Sequence, residues 1–278
     1  MRYLAYFFHD YADIRLSDKL NTMTPQFDWN APSCIFMTGG GSGIGLALAI
    51  RFLTKGHDVL ICGRRKDVLD AAAKKHPGLI PFVGDVSTEE GRKAIADRII
   101  SEFPSVNVLI NNAGIQNRLP PLLDPSHAEG LWYKHKQELA INLEAPIHLS
   151  MLLIQHLKSK SNAMIMNVTS GLAFVPIAFM PVYCTTKAGL HSFTLSLRHQ
   201  LKDTPISVVE LAPPAVNTDL GGPGLHTFGA NVDEFTDSVF ARMVAGEVEV
   251  GFGTSEKSRK FNYEEREAAF KHMNSASH

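Results

Sequence analysis

Residues 34–45 read CIFMTGGGSGIG, and the helical pattern LALAIRFLTKGH follows at once over 46–57. The first five residues have the apolar character of a buried strand. Between strand and helix lies the spacing T-G-x-x-x-G-x-G, from Thr38 to Gly45. Glycines at such a place let the backbone turn tightly and approach a pyrophosphate, whose charge then rests at a helix N-terminus. Glycines alone could as well make a flexible turn. Their position, after the first strand of an alternating chain, gives them the sharper meaning.

That alternation runs outward from the turn. Short apolar runs at 58–62 (DVLIC), 78–83 (GLIPFV), 107–110 (NVLI), 163–168 (AMIMNV) and 206–211 (ISVVEL) have the length of strands covered on both faces. Amphipathic segments separate them and end at helix stops, such as the Pro-Gly at 77–78 and Pro104. Strand and helix alternating with right-handed crossovers predict a doubly wound parallel α/β sheet. Residues 1–32 show no sustained period and read as an irregular extension, 33–253 as the domain and 254–278 as a C-terminal tail. EVEVGFG is a candidate last strand, and EEREAAFKH a candidate terminal helix.

The bulk numbers narrow the function. The chain has 278 residues, 45% of them hydrophobic, enough to bury one large core. Its 27 basic and 28 acidic residues give no electrostatic reason to expect nucleic acid or an anionic membrane as partner. No run reaches the length of a membrane span. Three widely spaced cysteines (Cys34, Cys62, Cys184) suit a reducing compartment, and a cytoplasmic location is the expectation. The 12 histidines form no metal-ligand spacing, so no metal is expected; His191 and His199 read as facing solvent or a partner subunit. The sequon Asn167-Val168-Thr169 falls at the end of an expected buried strand and is discounted. A Gly-x-Ser-x-Gly motif is absent, which argues against a hydrolase.

Several motifs after the glycine turn stand in a telling order. Asp85-Val86 follows the third apolar run, Asn111-Asn112-Ala113-Gly114 the fourth, and Ser170 the fifth. Asn142 lies inside a predicted helix, and Tyr183-x-x-x-Lys187 opens another. In this order the chain, from about Cys34 to Gly253, resembles the short-chain dehydrogenases/reductases in their single-domain form. GGGSGIGLALA, VTSGLAF, PVYCTTKA, LHSFTLSLRHQL and VGFGTSEK look most like the DltE-like oxidoreductases of that family. The resemblance implies a single Rossmann-type sheet of about seven strands with helices on both faces, and an NADP(H)-dependent carbonyl/alcohol oxidoreductase. It also implies a homodimer or homotetramer paired through two long helices, about 134–159 and 181–202.

Residues four apart share a helix face, so Tyr183 and Lys187 point into one space. A free phenol titrates near pKa 10, and a neighbouring ammonium is expected to bring it down toward working pH. Tyr183 is then the general acid in reduction, and the Ser170 hydroxyl holds the substrate oxygen. The resemblance gives Asn142 a water that links Lys187 to solvent, and gives Lys187 a contact to the ribose.

For the cofactor, the resemblance names Gly39, Ser42, Gly43, Ile44, Gly45, Asp85, Val86, Asn112, Ala113, Gly114, Tyr183 and Lys187. Val216 and Thr218 join them from APPAVNT, where Pro214 replaces the family's glycine. Gly63 stands where an NAD site places a carboxylate, and Arg64 and Arg65 follow it, which favours NADP. The substrate is expected between Ile115–Leu123, Ala173–Met180 and the 219–240 loop, with Phe174, Ile177, Phe179, Leu225 and Phe228 at an apolar mouth. That mouth suggests a hydrophobic ketone or aldehyde. The rival expectation is a non-catalytic NADP-binding regulatory protein, which would have no use for Tyr183.

Overall fold

The computed structural model describes residues 25–275 apart from 121, 123 and 125–129. Residues 1–24 of the expected extension, and Leu123 of the expected substrate wall, lie outside the described residues. The strands are β1 (Cys34–Thr38), β2 (Asp58–Gly63), β3 (Leu79–Val83), β4 (Val106–Asn111), β5 (Ala163–Val168), β6 (Ile206–Ala212) and β7 (Glu249–Gly251). They form one sheet in the order β3-β2-β1-β4-β5-β6-β7, parallel throughout.

Helices α1 (Gly43–Thr54), α2 (Lys66–Lys75) and α7 (Val232–Val244) cover one face. The other face carries α3 (Glu89–Glu102), α5 (Ala145–Lys158) and α6 (Pro181–Gln200). A short α4 (Trp132–Leu139) runs into α5 through a π-helical turn, Ala140–Glu144. Strands β1, β4, β5 and β6 are buried at every residue, because helices lie on both of their faces. Edge strand β3 differs: Leu79 and Phe82 are buried, while Pro81 and Val83 are exposed. An edge position tolerates Pro81, which has no N–H for a ladder.

The described residues on both flanks of the domain pack more closely than the sequence suggests. Phe27 and Trp29, inside the expected extension, belong to the core, where Trp29 stacks on Phe52 at 6.0 Å and meets Phe240 edge-on. Beyond β7, the expected tail forms α8 (Thr254–Ser258) and α9 (Tyr263–Asn274). A full capping box between Asn262 and Glu265 starts α9. Among the described residues, no helix is long and apolar enough to cross a membrane.

The chain leaves β1 for β2 on one side, while β4 lies on the other. Between these departures opens a crevice at the carboxyl ends of the strands, where α/β sheets hold their ligands.

Candidate active site

Two glycines make the turn after β1 possible. Gly39 has φ +66°, and a Cβ there would stand 2.8 Å from the Ala113 Cα. A Cβ on Gly45 would lie 2.3 Å from the Gly39 carbonyl oxygen. Any side chain at Gly45 would therefore push apart the turn and the segment after β4. Asn112 fastens that segment by donating to the Thr38 and Gly39 carbonyls at 3.0 and 3.1 Å. The Thr38 hydroxyl accepts the Asn112 and Ala113 amides, both at 3.0 Å. Thr38 was part of the recognised turn but was not among the expected site residues. Its position at the strand end, before the first glycine, is the signal for that clamp.

The cleft above this turn encloses about 1670 Å³. Gly39, Ser42, Gly43, Ile44, Gly45, Asn112, Ala113, Gly114, Val216 and Thr218 line it, with Arg64 and Arg65 at its outer end. An adjoining recess of about 260 Å³ holds Asp85 and Val86 beside Gly63 and Ile141. Ser42, at the N-cap of α1, makes no side-chain cap bond, so the first turn keeps polar groups for an anion. The cradle that a Cβ would fill and this helix end fit a dinucleotide carrying a pyrophosphate. Arg64 and Arg65 are exposed and have no carboxylate partner among the described residues.

At the inner end the structure brings Asn142, Ser170, Tyr183 and Lys187 together, all buried. Lys187 donates from Nζ to the Val168 carbonyl at 2.9 Å and lies 5.8 Å from the centre of the Tyr183 ring. The Ser170 hydroxyl accepts the Leu172 amide at 3.1 Å, capping the short 3₁₀ turn Gly171–Ala173. Asn142 sits within the π turn, where an extra residue widens the helix. Its Oδ1 accepts the Ile115 amide at 2.9 Å, and its Nδ2 donates to the Ile115 carbonyl at 2.8 Å. The side chain thus pairs with Ile115 as a neighbouring strand would, at the point where the chain leaves the sheet. Nδ2 also donates to Thr186 at 3.3 Å. The place a Gly114 Cβ would occupy is 3.5 Å from Asn142 Oδ1 and 3.7 Å from Lys187 Nζ.

The charges correct one expectation. Burial pushes the Tyr183 phenol above its ordinary value, with the Ser170 side chain opposing the shift. The phenol is not brought down toward neutral pH in this structure. Burial instead lowers Lys187 to about 8, against the pull of the nearby Glu138 carboxylate. Glu138 is a residue the sequence reading missed, because one glutamate in a polar helical stretch resembles any solvated one.

His191, expected to face solvent or a partner subunit, is instead half-buried against β6. Its Nδ1 meets the buried Glu210 carboxylate at 2.8 Å, and Thr169 donates to Glu210 at 2.7 Å. That carboxylate holds the imidazole above its ordinary value in spite of burial. His199 is exposed. Asn167 of the sequon is buried and donates to Thr194 at 2.9 Å.

Of the apolar mouth, Ile177, Phe179 and Phe228 line the cleft, with Leu172, Val175 and Met180. Phe174 turns away and packs edge-on against His191 at 4.7 Å, and Leu225 is not part of the lining. The expected tail supplies lining in their stead: Phe261, Ala269 and Met273. Asn274 at the end of α9 accepts the Ala178 amide at 2.6 Å and donates to the Pro176 carbonyl at 3.2 Å. These two bonds pin α9 to the substrate-side loop. Pro214 lines the cleft between Pro213 and Val216, and the loop holds its shape through a bridge from Val216 to Ala230.

A seven-stranded parallel sheet with a glycine cradle at its switch point defines a class, and comparison with known proteins gives that class its name. A model of the family described as short chain dehydrogenase matches residues 33–225, and the chain belongs to this family of oxidoreductases. Within it, the sequence is 39% identical over 245 residues to the uncharacterized oxidoreductase DltE of Bacillus subtilis (strain 168), covering 86% of this chain and 96% of that one. Among solved structures, a short chain dehydrogenase from Burkholderia cenocepacia J2315 in complex with NADP superposes with a TM-score of 0.73 at 24% identity, over 87% of this chain and 98% of that one. The 3-ketoacyl-(acyl-carrier-protein) reductase from Brucella melitensis, complexed with NADH, gives 0.70 at 24% identity, over 81% and 99%. At these identities the two structures speak for the fold alone.

Proposed function

We propose that this chain transfers a hydride between NADP(H) and a small-molecule carbonyl/alcohol pair. One observation carries the reading: Tyr183, Lys187, Ser170 and Asn142 gather, buried, beside a glycine-lined cradle. A binding protein would need the cradle and not the phenol.

When bound, the nicotinamide supplies or accepts the hydride; the chain supplies everything else. Gly39, Ser42, Gly43, Ile44 and Gly45 would receive the pyrophosphate, Asp85 and Val86 the adenine side, and Asn112, Ala113, Gly114, Val216 and Thr218 the inner half. Ser170 holds the substrate oxygen, and the phenol, kept protonated by burial, gives it a proton in reduction. Lys187, charged below about pH 8, supports that transfer and would hold the ribose. Asn142 and the gap left by Gly114 offer a place to relay a proton toward Lys187.

Arg64 and Arg65 support NADP over NAD, since a guanidinium meets a 2′-phosphate with paired donors. The apolar lining supports a hydrophobic ketone or aldehyde as substrate. Exposed Met151 on α5 and Leu195 on α6 support pairing of these helices in a homodimer or homotetramer. Three unpaired cysteines suit a cytoplasmic setting. The test is a carbonyl and alcohol panel with NADPH and NADP, read at the nicotinamide absorbance. Turnover on any member supports the reading. NADPH binding without turnover on a broad panel favours the regulatory alternative.

A further inference from the structure

Glu210 follows Ile206 and Val208 on the face of β6 that α6 covers, and it is 2% exposed. An aliphatic side chain would fill that place without the cost of burying a charge. The carboxylate instead joins three segments of the chain. One oxygen accepts the Thr169 hydroxyl at 2.7 Å, and the other meets His191 Nδ1 at 2.8 Å. His191 lies on α6, four residues after Lys187 and eight after Tyr183. The other charges nearby are engaged elsewhere. Glu249 on β7 pairs with Arg198 of α6 at 2.5 Å and with Arg259 at 3.7 Å, and Arg198 also donates to the Val208 and Val248 carbonyls. Among the described residues, His191 is the one ion-pair partner of Glu210.

Ser170 sits between the two points that this pair touches. Thr169 precedes it, and Phe174 follows the 3₁₀ turn that it caps. Phe174 packs edge-on against the His191 ring. The turn's backbone is tied to the end of β6 and the chain beyond it, since the Thr169 amide donates to the Leu211 carbonyl and the Gly171 amide to that of Pro213, both at 2.8 Å. The sheet thus fixes the turn from one side, and α6 reaches it from the other.

We propose that His191 and Glu210 are positioning residues of this site: together they clamp the Ser170 turn, at Thr169 and at Phe174, to the helix that carries Tyr183 and Lys187. The proposal rests on the hydride-transfer reading for its purpose, though one arm of its test needs no turnover. Neither residue lines the cleft, so the pair acts through Ser170. A bond that only held helix to sheet would leave the serine indifferent.

His191→Phe keeps a ring for Phe174 and removes the donor to Glu210. Per NADPH-binding site, kcat should fall about tenfold while KM for NADPH stays within about twofold. In a Ser170→Ala background the same substitution should cost less than about twofold, because residues that act as a unit are not additive. Thr169→Val breaks the other bond of Glu210 and should behave alike, whereas Thr169→Ser keeps the hydroxyl and the rate. Without any substrate, hydrogen exchange at the Gly171 and Leu172 amides, followed by NMR, should quicken about tenfold in His191→Phe and Thr169→Val, with the β4 amides unchanged. Full rate in both variants, an equal loss with and without Ser170, or unaltered exchange in the turn would overturn the proposal. Exchange quickened equally in β4, or failure of both variants to fold, would do the same, since the pair would then hold the fold and not the turn. An unmodified enzyme inactive on every carbonyl would sink hydride transfer alone, and the exchange result would decide the clamp by itself.

Discussion

Lys187 and Arg64 are both cations lining one cleft, yet the protein treats them in opposite ways. Lys187 is 4% exposed, bonded to the Val168 carbonyl and lowered to about 8 by its burial. Arg64 lies open on the rim beside Arg65. A charge in a low-dielectric site interacts strongly with every neighbour, whereas one in water is screened. The inner end of the cleft should therefore set the rate steeply, and the outer end should tune preference gently. The comparison separates chemistry from recognition along one groove.

The largest expected effect is at the inner end. Lys187→Met keeps the length of the side chain and removes the ammonium. Turnover should fall by about 100-fold or more, the scale of disabled proton transfer. The pH profile should agree: Lys187 loses its proton as pH rises through about 8, so reduction should decline above that value. A Met variant within a few-fold of full rate would break the contrast.

At the rim the effect should be smaller and confined to cofactor choice. A hydrogen bond to a charged group contributes about 1.5–3 kcal/mol, so NADPH should be favoured over NADH by about 10-fold or more. Arg64→Ala should erase most of that preference in kcat/KM and leave the NADH rate nearly unchanged. Equal rates with both cofactors in the unmodified enzyme would make the arginines a solvated turn. The smallest effect belongs to α9. Asn274→Ala removes two exposed hydrogen bonds to the substrate loop, and KM for bulky apolar substrates should rise by about threefold to tenfold. An unchanged KM across substrate sizes would show that α9 only covers the mouth.

The same contrast explains what could be read in the sequence. The strands emerged because central strands are buried at every residue and therefore mostly apolar, as in AMIMNV and ISVVEL. The glycine turn and the order of Asn142, Ser170, Tyr183 and Lys187 were legible because each needs a particular residue type at a particular spacing. Features formed between distant segments were not legible. Trp29 gave no periodicity of its own, yet it stacks on Phe52. Met273 reads as part of a polar tail until Asn274 ties α9 to Pro176 and Ala178. His191 looks like any polar residue on a helix until β6 places Glu210 against it. Tyr183 was read from its neighbour Lys187, whereas its depth in the fold turned out to govern the phenol more strongly.

The central claim is that the Tyr183 hydroxyl delivers the proton. Tyr183→Phe preserves the ring and removes only that group, so single-turnover oxidation of bound NADPH by the best carbonyl substrate tests it most directly. The rate should fall by about 100-fold or more while NADPH binding, followed by fluorescence, barely changes. A Phe variant that oxidises NADPH at close to the full rate would contradict the account.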